Sequence, residues 1–141
     1  MSTAGEVTVQ PLDRAAQRAL TGWLGDARAA GIDIDDPASI SKAFDDYVDQ
    51  VLLTPADERV DPTQTLTMIG MAMGEHLQRN SSLQWRIVSD PKGTDLALAS
   101  ADDMGVLYPI DPVAEAWNAR ERSWLPGFVT EVLGQLRTAE A

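Results

Sequence analysis

The 141-residue chain has 44% apolar and 23% charged residues, as is typical of one globular domain, and it has no cysteine for disulfides or thiolate metal sites. Twenty-two acidic side chains against 11 basic ones give a net charge of −11, which disfavours nucleic-acid binding. The sequence has no secretory signal and no apolar run long enough to span a membrane, so we expect a cytoplasmic protein.

Three helices are predicted before residue 80. Apolar residues recur at helical spacing over residues 12–30, and Gly31 can end that helix. A second helix is expected to end before Pro55, and a third covers about residues 62–80. Aspartate followed by proline suits a helix start, because the carboxylate caps free N–H groups and proline tolerates the first helical position. This pattern predicts three helix starts, at Asp36-Pro37, Asp61-Pro62 and Asp111-Pro112.

The third predicted helix is apolar on nearly all sides in its middle, which is typical of a central helix. Gly70 and Gly74 lie on one face, and each costs about 0.5–1 kcal/mol relative to alanine. We therefore expect the helix backbone to approach a strand or Trp85 closely at these two positions. His76, the single histidine, falls at the rim of this face and is expected to be partly exposed.

Alternating apolar residues follow the third helix. The segment LQWRIVSDPKGTDLALAS predicts a β-hairpin with a type I turn and glycine bulge at residues 90–93. A third strand is predicted over VLYPI, residues 106–110. Two helices then begin at Pro112 and at about residue 124. This order predicts an α+β fold with three N-terminal helices, a three-stranded antiparallel meander, and two C-terminal helices packed on the sheet.

Several short motifs occur in an order that resembles a bacterial family known as domain of unknown function 3806. The resemblance covers about residues 66–124 and implies a fold but no established activity. It divides the single expected domain, residues 1–141, into a family-like core at about 62–124 and a helical extension at 12–54. The motifs are Gly74-Glu75, Leu83-Gln84-Trp85, Gly93-Thr94-Asp95-Leu96-Ala97-Leu98, Tyr108-Pro109-Ile110 and Trp117. The chain departs from the family pattern at Glu115-Ala116, where members often carry Lys-Arg.

The sequence has no nucleophile elbow, phosphate-binding loop, zinc-protease motif or dinucleotide fingerprint. We predict no catalytic residue, no metal and no cofactor. Glu75 either pairs with Arg79 one turn later or lines a small pocket. The candidate ligand-binding residues are Glu75, Trp85, Asp95 and Trp117. The four tryptophans are expected mainly in the core, with Trp117 and Trp124 the most exposed.

Three functional hypotheses remain open. The first is a non-catalytic module that binds a protein partner or itself, which the acidic surface and the tryptophan-bearing helices favour. The second is a small-ligand or hydrolytic pocket, in which Glu75 and Asp95 divide acid and base roles beside Trp85. The third is an immunity-type inhibitor whose acidic face blocks a basic toxin. Whether the protein is an enzyme stays open, and the missing motifs favour a non-enzyme.

Overall fold

The computed structural model describes residues 7–102 and 105–140. Within them, five α-helices accompany one four-stranded antiparallel sheet, so the α+β class is confirmed. The helices are α1 (Arg14–Ala29), α2 (Pro37–Leu53), α3 (Thr63–Arg79), α4 (Ile110–Ala119) and α5 (Leu125–Glu140), with a 3-10 turn at Ala56–Glu58. The strands are β1 (Thr8–Gln10), β2 (Gln84–Asp90), β3 (Gly93–Ala99) and β4 (Val106–Leu107), which lie in the order β1-β2-β3-β4. No helix among these residues has the length and apolarity needed to span a bilayer.

Aspartate side chains begin the second and third helices as predicted. Asp36 Oδ1 accepts the N–H of Ala38 at 3.0 Å, and Asp61 Oδ1 accepts the N–H of Thr63 at 2.9 Å. These bonds satisfy helix-terminal donors that have no partner within the helix. Gly31, at φ +87°, directly follows the C-cap of α1, and this conformation favours glycine.

The prediction of a three-stranded sheet was wrong by one strand. Thr8–Gln10 forms β1 and pairs antiparallel with β2, with Thr8 opposite Ser89. β1 has only three residues, and only the central Val9 is half-buried. A strand of this length is too short to show an alternating apolar pattern. The pairing partner also lies about eighty residues away, so no local signal such as a hairpin turn marks this strand.

The predicted strand at residues 106–110 was too long, and the predicted start of the next helix was too late. β4 ends at Leu107, and α4 begins at Ile110 rather than Pro112. Pro109 adopts a helical conformation at φ −66° and ψ −19°, so the chain turns into the helix one residue after Tyr108. Pro112 still fits, because first-turn N–H groups have no intrahelical acceptor.

The predicted hairpin is confirmed, but the predicted glycine bulge is wrong, because neither strand carries an extra residue. β2 and β3 pair from Gln84 opposite Ala99 to Asp90 opposite Gly93, leaving a two-residue connection. Asp90 Oδ1 accepts the N–H groups of Lys92 at 2.8 Å and Gly93 at 3.1 Å, which holds the turn closed. Gly93 has a φ of +146°, a conformation that side-chain-bearing residues rarely adopt.

Helix α3 is the central element, as predicted, and it packs against α1, α2, α4, α5 and β3. Both glycines lie at close approaches. A Cβ on Gly70 would lie 3.0 Å from Ile110 Cγ1 and 3.2 Å from its Cα. A Cβ on Gly74 would lie 2.5 Å from Trp85 Cη2 and 3.2 Å from Pro109 Cγ. Close packing at both glycines is therefore confirmed, but only Gly74 meets the expected Trp85, whereas Gly70 meets Ile110 in α4 rather than a strand.

The sheet has two faces with different cover. Because side chains alternate along a strand, Trp85, Ile87 and their β3 partners Leu98 and Leu96 share one face. Trp85 and Leu98 belong to the main core with the helices. Val88, Ala97 and Ala99 are buried on the other face, outside that core cluster. By the same alternation Tyr108 lies on this second face, where its hydroxyl is 3.4 Å from Asp90 Oδ2.

Candidate functional site

Glu75, the leading candidate from the sequence, is held by two donors. Trp85 Nε1 donates to Glu75 Oε1 at 3.0 Å, and Arg79 Nε donates to Glu75 Oε2 at 2.9 Å. Arg79 also donates to Asp35 Oδ1 at 2.9 Å, and this bond contributes most to raising the pKa of Arg79. Only 12% of the Glu75 side chain is exposed. The structure thus uses this carboxylate to join α3 to β2 and, through Arg79, to the loop before α2.

The four predicted ligand-binding residues do not converge. Glu75 and Trp85 are in contact, whereas Asp95 pairs with Val88 and lies exposed on the opposite face of the sheet. Trp117 lies in α4, where it stacks on Tyr47 with ring centroids 5.0 Å apart. Their assignment as ligand-binding residues stays a prediction.

Two predictions of exposure were wrong. His76 is only 6% exposed, because the loop between α1 and α2 covers it. Its Nδ1 donates a hydrogen bond to the carbonyl oxygen of Ile34 in this loop at 2.8 Å. Helical phase along α3 cannot reveal this loop, which covers the rim of the helix. Trp117 is also buried, since Tyr47 stacks on one ring face and the Arg120 guanidinium carbon lies 4.3 Å from the ring centroid.

Among the described residues, no group of three or more histidine, aspartate or glutamate side chains is arranged to hold a metal ion. The aspartate-rich segment at residues 33–36 is occupied by local bonds instead. Asp33 Oδ1 accepts the N–H of Asp35, and Asp36 caps α2. These carboxylates therefore shape the loop and the helix start.

An extended open feature lies between α4, α5 and β4. Two adjoining cavities of about 520 and 480 Å³ share Pro112, Glu115 and Phe128 and together form what we call the acidic groove. Apolar and aromatic side chains give it a hydrophobic surface, and four exposed carboxylates line it as well. The apolar and aromatic residues include Val106, Leu107, Tyr108, Trp124 and Phe128, and the carboxylates are Asp111, Glu115, Glu121 and Glu131.

The electrostatics of the acidic groove are one-sided. None of the described residues that line it is basic. Burial raises the pKa of the Tyr108 phenol above its ordinary value, and the carboxylates of Asp90, Asp95 and Asp111 raise it further. The buried Nε1 of Trp124 has no hydrogen-bond partner among the described residues, while its ring packs edge-on against Phe44 and Phe128.

A second groove, which we call the apolar groove, lies on the other side of β4. It has a volume of about 320 Å³ and separates β4 from the C-terminal half of α5. Its lining includes Leu83, Leu107, Val132 and Leu136, and none of the described residues lining it is charged. Val106 and Leu107 line both grooves, so β4 stands between them.

Neither groove was predicted from the sequence. Helical spacing offered one signal, because Asp111 and Glu115 are four residues apart and share a face of α4. The spacing does not predict that this face of α4 lies across a gap from Phe128, because the gap depends on how α4 and α5 pack. Trp85, Trp117 and the unique histidine drew attention to positions that the fold buries.

A family model described as a domain of unknown function, DUF3806, matches residues 44–126, which is more than half of the chain. The match begins within α2 and ends at the start of α5, so it includes α3, three of the strands and α4. It extends further toward the N-terminus than the resemblance read from the sequence motifs. No curated protein and no solved structure matches the chain.

Proposed function

The chain belongs to the domain of unknown function DUF3806 family, and from its own geometry we propose that it is a non-catalytic protein-interaction module. The proposed partner is a protein segment that combines Lys or Arg with apolar side chains. The acidic groove carries this proposal, because it joins an aromatic and aliphatic surface to four exposed carboxylates without a basic residue in its lining.

The charge of the groove favours such a partner in two ways. Carboxylates on an exposed rim raise the association rate of a cationic segment and oppose anionic ones. The apolar part of the groove, with Leu107 and Phe128, offers contact for aliphatic side chains that interfaces bury at their centre. The net charge of −11 adds a long-range field of the same sign.

The alternatives from the sequence stay predictions. A hydrolytic pocket needs Glu75 free to exchange a proton, but both of its oxygens accept hydrogen bonds within the fold. An inhibitor of a basic toxin is one special form of the proposed interaction, and the toxin would have to be the cationic partner.

A peptide titration tests the proposal. One probe is a helical peptide of roughly 15 residues built from Lys and Leu, and the other is an extended peptide of about six residues alternating Lys and Val. We expect at least one of the two peptides to bind, and we expect its affinity to fall steeply with added salt. Versions with Glu in place of Lys should not bind.

Matched charge reversals locate the site. Glu115→Lys should weaken binding about tenfold, equivalent to about 1.4 kcal/mol, because it places a cation in the acidic groove. Glu58→Lys makes the same change of net charge on the exposed 3-10 turn, away from both grooves. Failure of both Lys peptides to bind, or equal effects of the two reversals, would contradict the proposal.

A further inference from the structure

Within the described part of the chain, strand β4 is the last strand of the sheet, so one of its edges has no neighbouring strand there. Its register places Leu98 opposite Leu107 and Ala99 opposite Val106, and Ser100 N donates to Gly105 O at 2.9 Å. Hydrogen-bonded pairs alternate in an antiparallel ladder. The pairs at 100/105 and 98/107 are therefore the bonded ones, and the N–H and C=O of Val106 point away from β3 toward the free edge.

Open space lies along this free edge. The acidic groove and the apolar groove both have Val106 and Leu107 in their linings, and α5 forms the far wall of each through Phe128 and Leu136. An extended chain laid beside β4 would have the acidic groove on one of its faces and the apolar groove on the other. Their volumes of about 520 and 320 Å³ beside β4 fall in the range of natural binding clefts.

The two faces of an added strand would meet different surroundings. Side chains on the Leu107 face meet the apolar groove, where Val132 and Leu136 line the opposite wall. Side chains on the Val106 face meet Asp111 and Glu115 in the acidic groove. Because successive side chains of a strand point to opposite faces, the site suits a segment that alternates apolar with cationic residues.

We propose that β4 receives an extended segment of a partner protein as an additional strand, with apolar side chains toward α5 and Lys or Arg side chains toward Asp111 and Glu115. This inference rests on the proposed function and specifies the partner's conformation. Strand addition obtains affinity from main-chain hydrogen bonds and specificity from alternate side-chain pockets. β4 carries none of the charged side chains by which natural edge strands prevent such pairing.

The peptide backbone provides the first test. The extended Lys-Val peptide is compared with a copy N-methylated on the residues whose N–H groups would face β4, which keeps every side chain. We expect at least tenfold weaker binding of the methylated copy and slower amide exchange at Val106 when the unmethylated peptide is bound. Equal binding of the two peptides, or unchanged exchange at Val106, would overturn the inference.

A variant of the protein provides the second test. Val106→Pro removes the outward N–H and suits an edge strand, because proline is tolerated where the N–H faces solvent. We expect it to weaken binding of the extended peptide at least tenfold more than binding of the helical Lys-Leu peptide, which needs no main-chain bond to Val106, and equal losses for the two peptides would overturn the inference. If the helical peptide binds with Glu115 dependence while the extended one does not, strand addition fails and the proposed function stands. If neither binds, the proposed function fails as well.

Discussion

Replacing Gly74 by alanine tests the close approach of α3 to the sheet. The new Cβ would lie 2.5 Å from Trp85 Cη2 and 2.7 Å from Cζ2, so the indole must move. Trp85 is 3% exposed, and Nε1 is bonded to Glu75, which leaves the ring little freedom. The substitution therefore forces either a backbone shift of α3 or a displaced indole.

The expected magnitude follows from opposing contributions. Alanine improves helix propensity by about 0.5–1 kcal/mol. Overpacking costs about 1–3 kcal/mol. Weakening the hydrogen bond from Trp85 Nε1 to the Glu75 carboxylate adds to this cost, and its complete loss would add about 1.5–3 kcal/mol. We expect Gly74→Ala to lower the free energy of unfolding by about 1–3 kcal/mol.

Urea denaturation of four variants measures this effect: Gly74→Ala, Gly22→Ala, Trp85→Phe and the Trp85→Phe/Gly74→Ala double variant. Gly22→Ala is the matched control, because Gly22 lies within α1 and a Cβ there meets nothing within 4 Å. It should stabilise the protein by up to about 1 kcal/mol. In a Trp85→Phe background, which removes the two crowded ring carbons, Gly74→Ala should cost less than in the wild type. A Gly74→Ala protein as stable as the Gly22→Ala protein would refute the reasoning.

Three further predictions concern single side chains. Glu75→Gln should lower the free energy of unfolding by about 1 kcal/mol, because it removes the charge of an acceptor that is bonded to two donors. The control Asp95→Asn, at an exposed position, should change the free energy of unfolding by less than about 0.5 kcal/mol. Equal effects of the two substitutions would contradict the geometry. His76→Leu should cost about 1–3 kcal/mol in denaturation, since it leaves the carbonyl of Ile34 without its donor, and an effect below about 0.5 kcal/mol would show that the bond is unimportant. Because the pKa of Tyr108 is raised in the folded protein, its contribution to the free energy of unfolding is complete below the ordinary phenol pKa of 10.0. This contribution is lost as the pH rises through the pKa of Tyr108 in the folded protein. Unfolding measured from about pH 8 to 11 should therefore show a smaller alkaline loss of stability for Tyr108→Phe than for the wild type, and identical pH profiles would oppose this assignment.

Local signals accounted for most of the fold. Aspartate caps, a glycine at a positive φ and a compact turn act within a few residues, so Asp36, Asp61 and the hairpin at residues 90–93 were predictable. The two glycines of α3 were also informative, because an unfavourable residue in a central helix requires a compensating contact. Strand β1 was not predictable in this way, since three residues paired with a distant segment leave no local pattern.

The candidate site was less predictable than the fold. Helical phase correctly put Glu75 one turn before its partner Arg79, but it could not reveal the indole of Trp85 as a second donor. His76 looked exposed because the loop that covers it comes from another part of the chain. A groove is the space that remains where two packed elements do not meet. A single sequence contains no direct signal for such a space between α4 and α5.

Strand β1 shields a part of the sheet that would otherwise promote self-association. It pairs with Ile87, Val88 and Ser89 in a seven-residue strand that also carries Trp85. Without β1 the sheet would expose that strand's backbone, and a long apolar edge is a template for pairing between molecules. The three residues of β1 therefore contribute to solubility out of proportion to their number. A shortened chain that begins at Pro11 should be more prone to aggregate than the full chain, even though it keeps Leu12, the Asp13 cap and every buried residue of the main core.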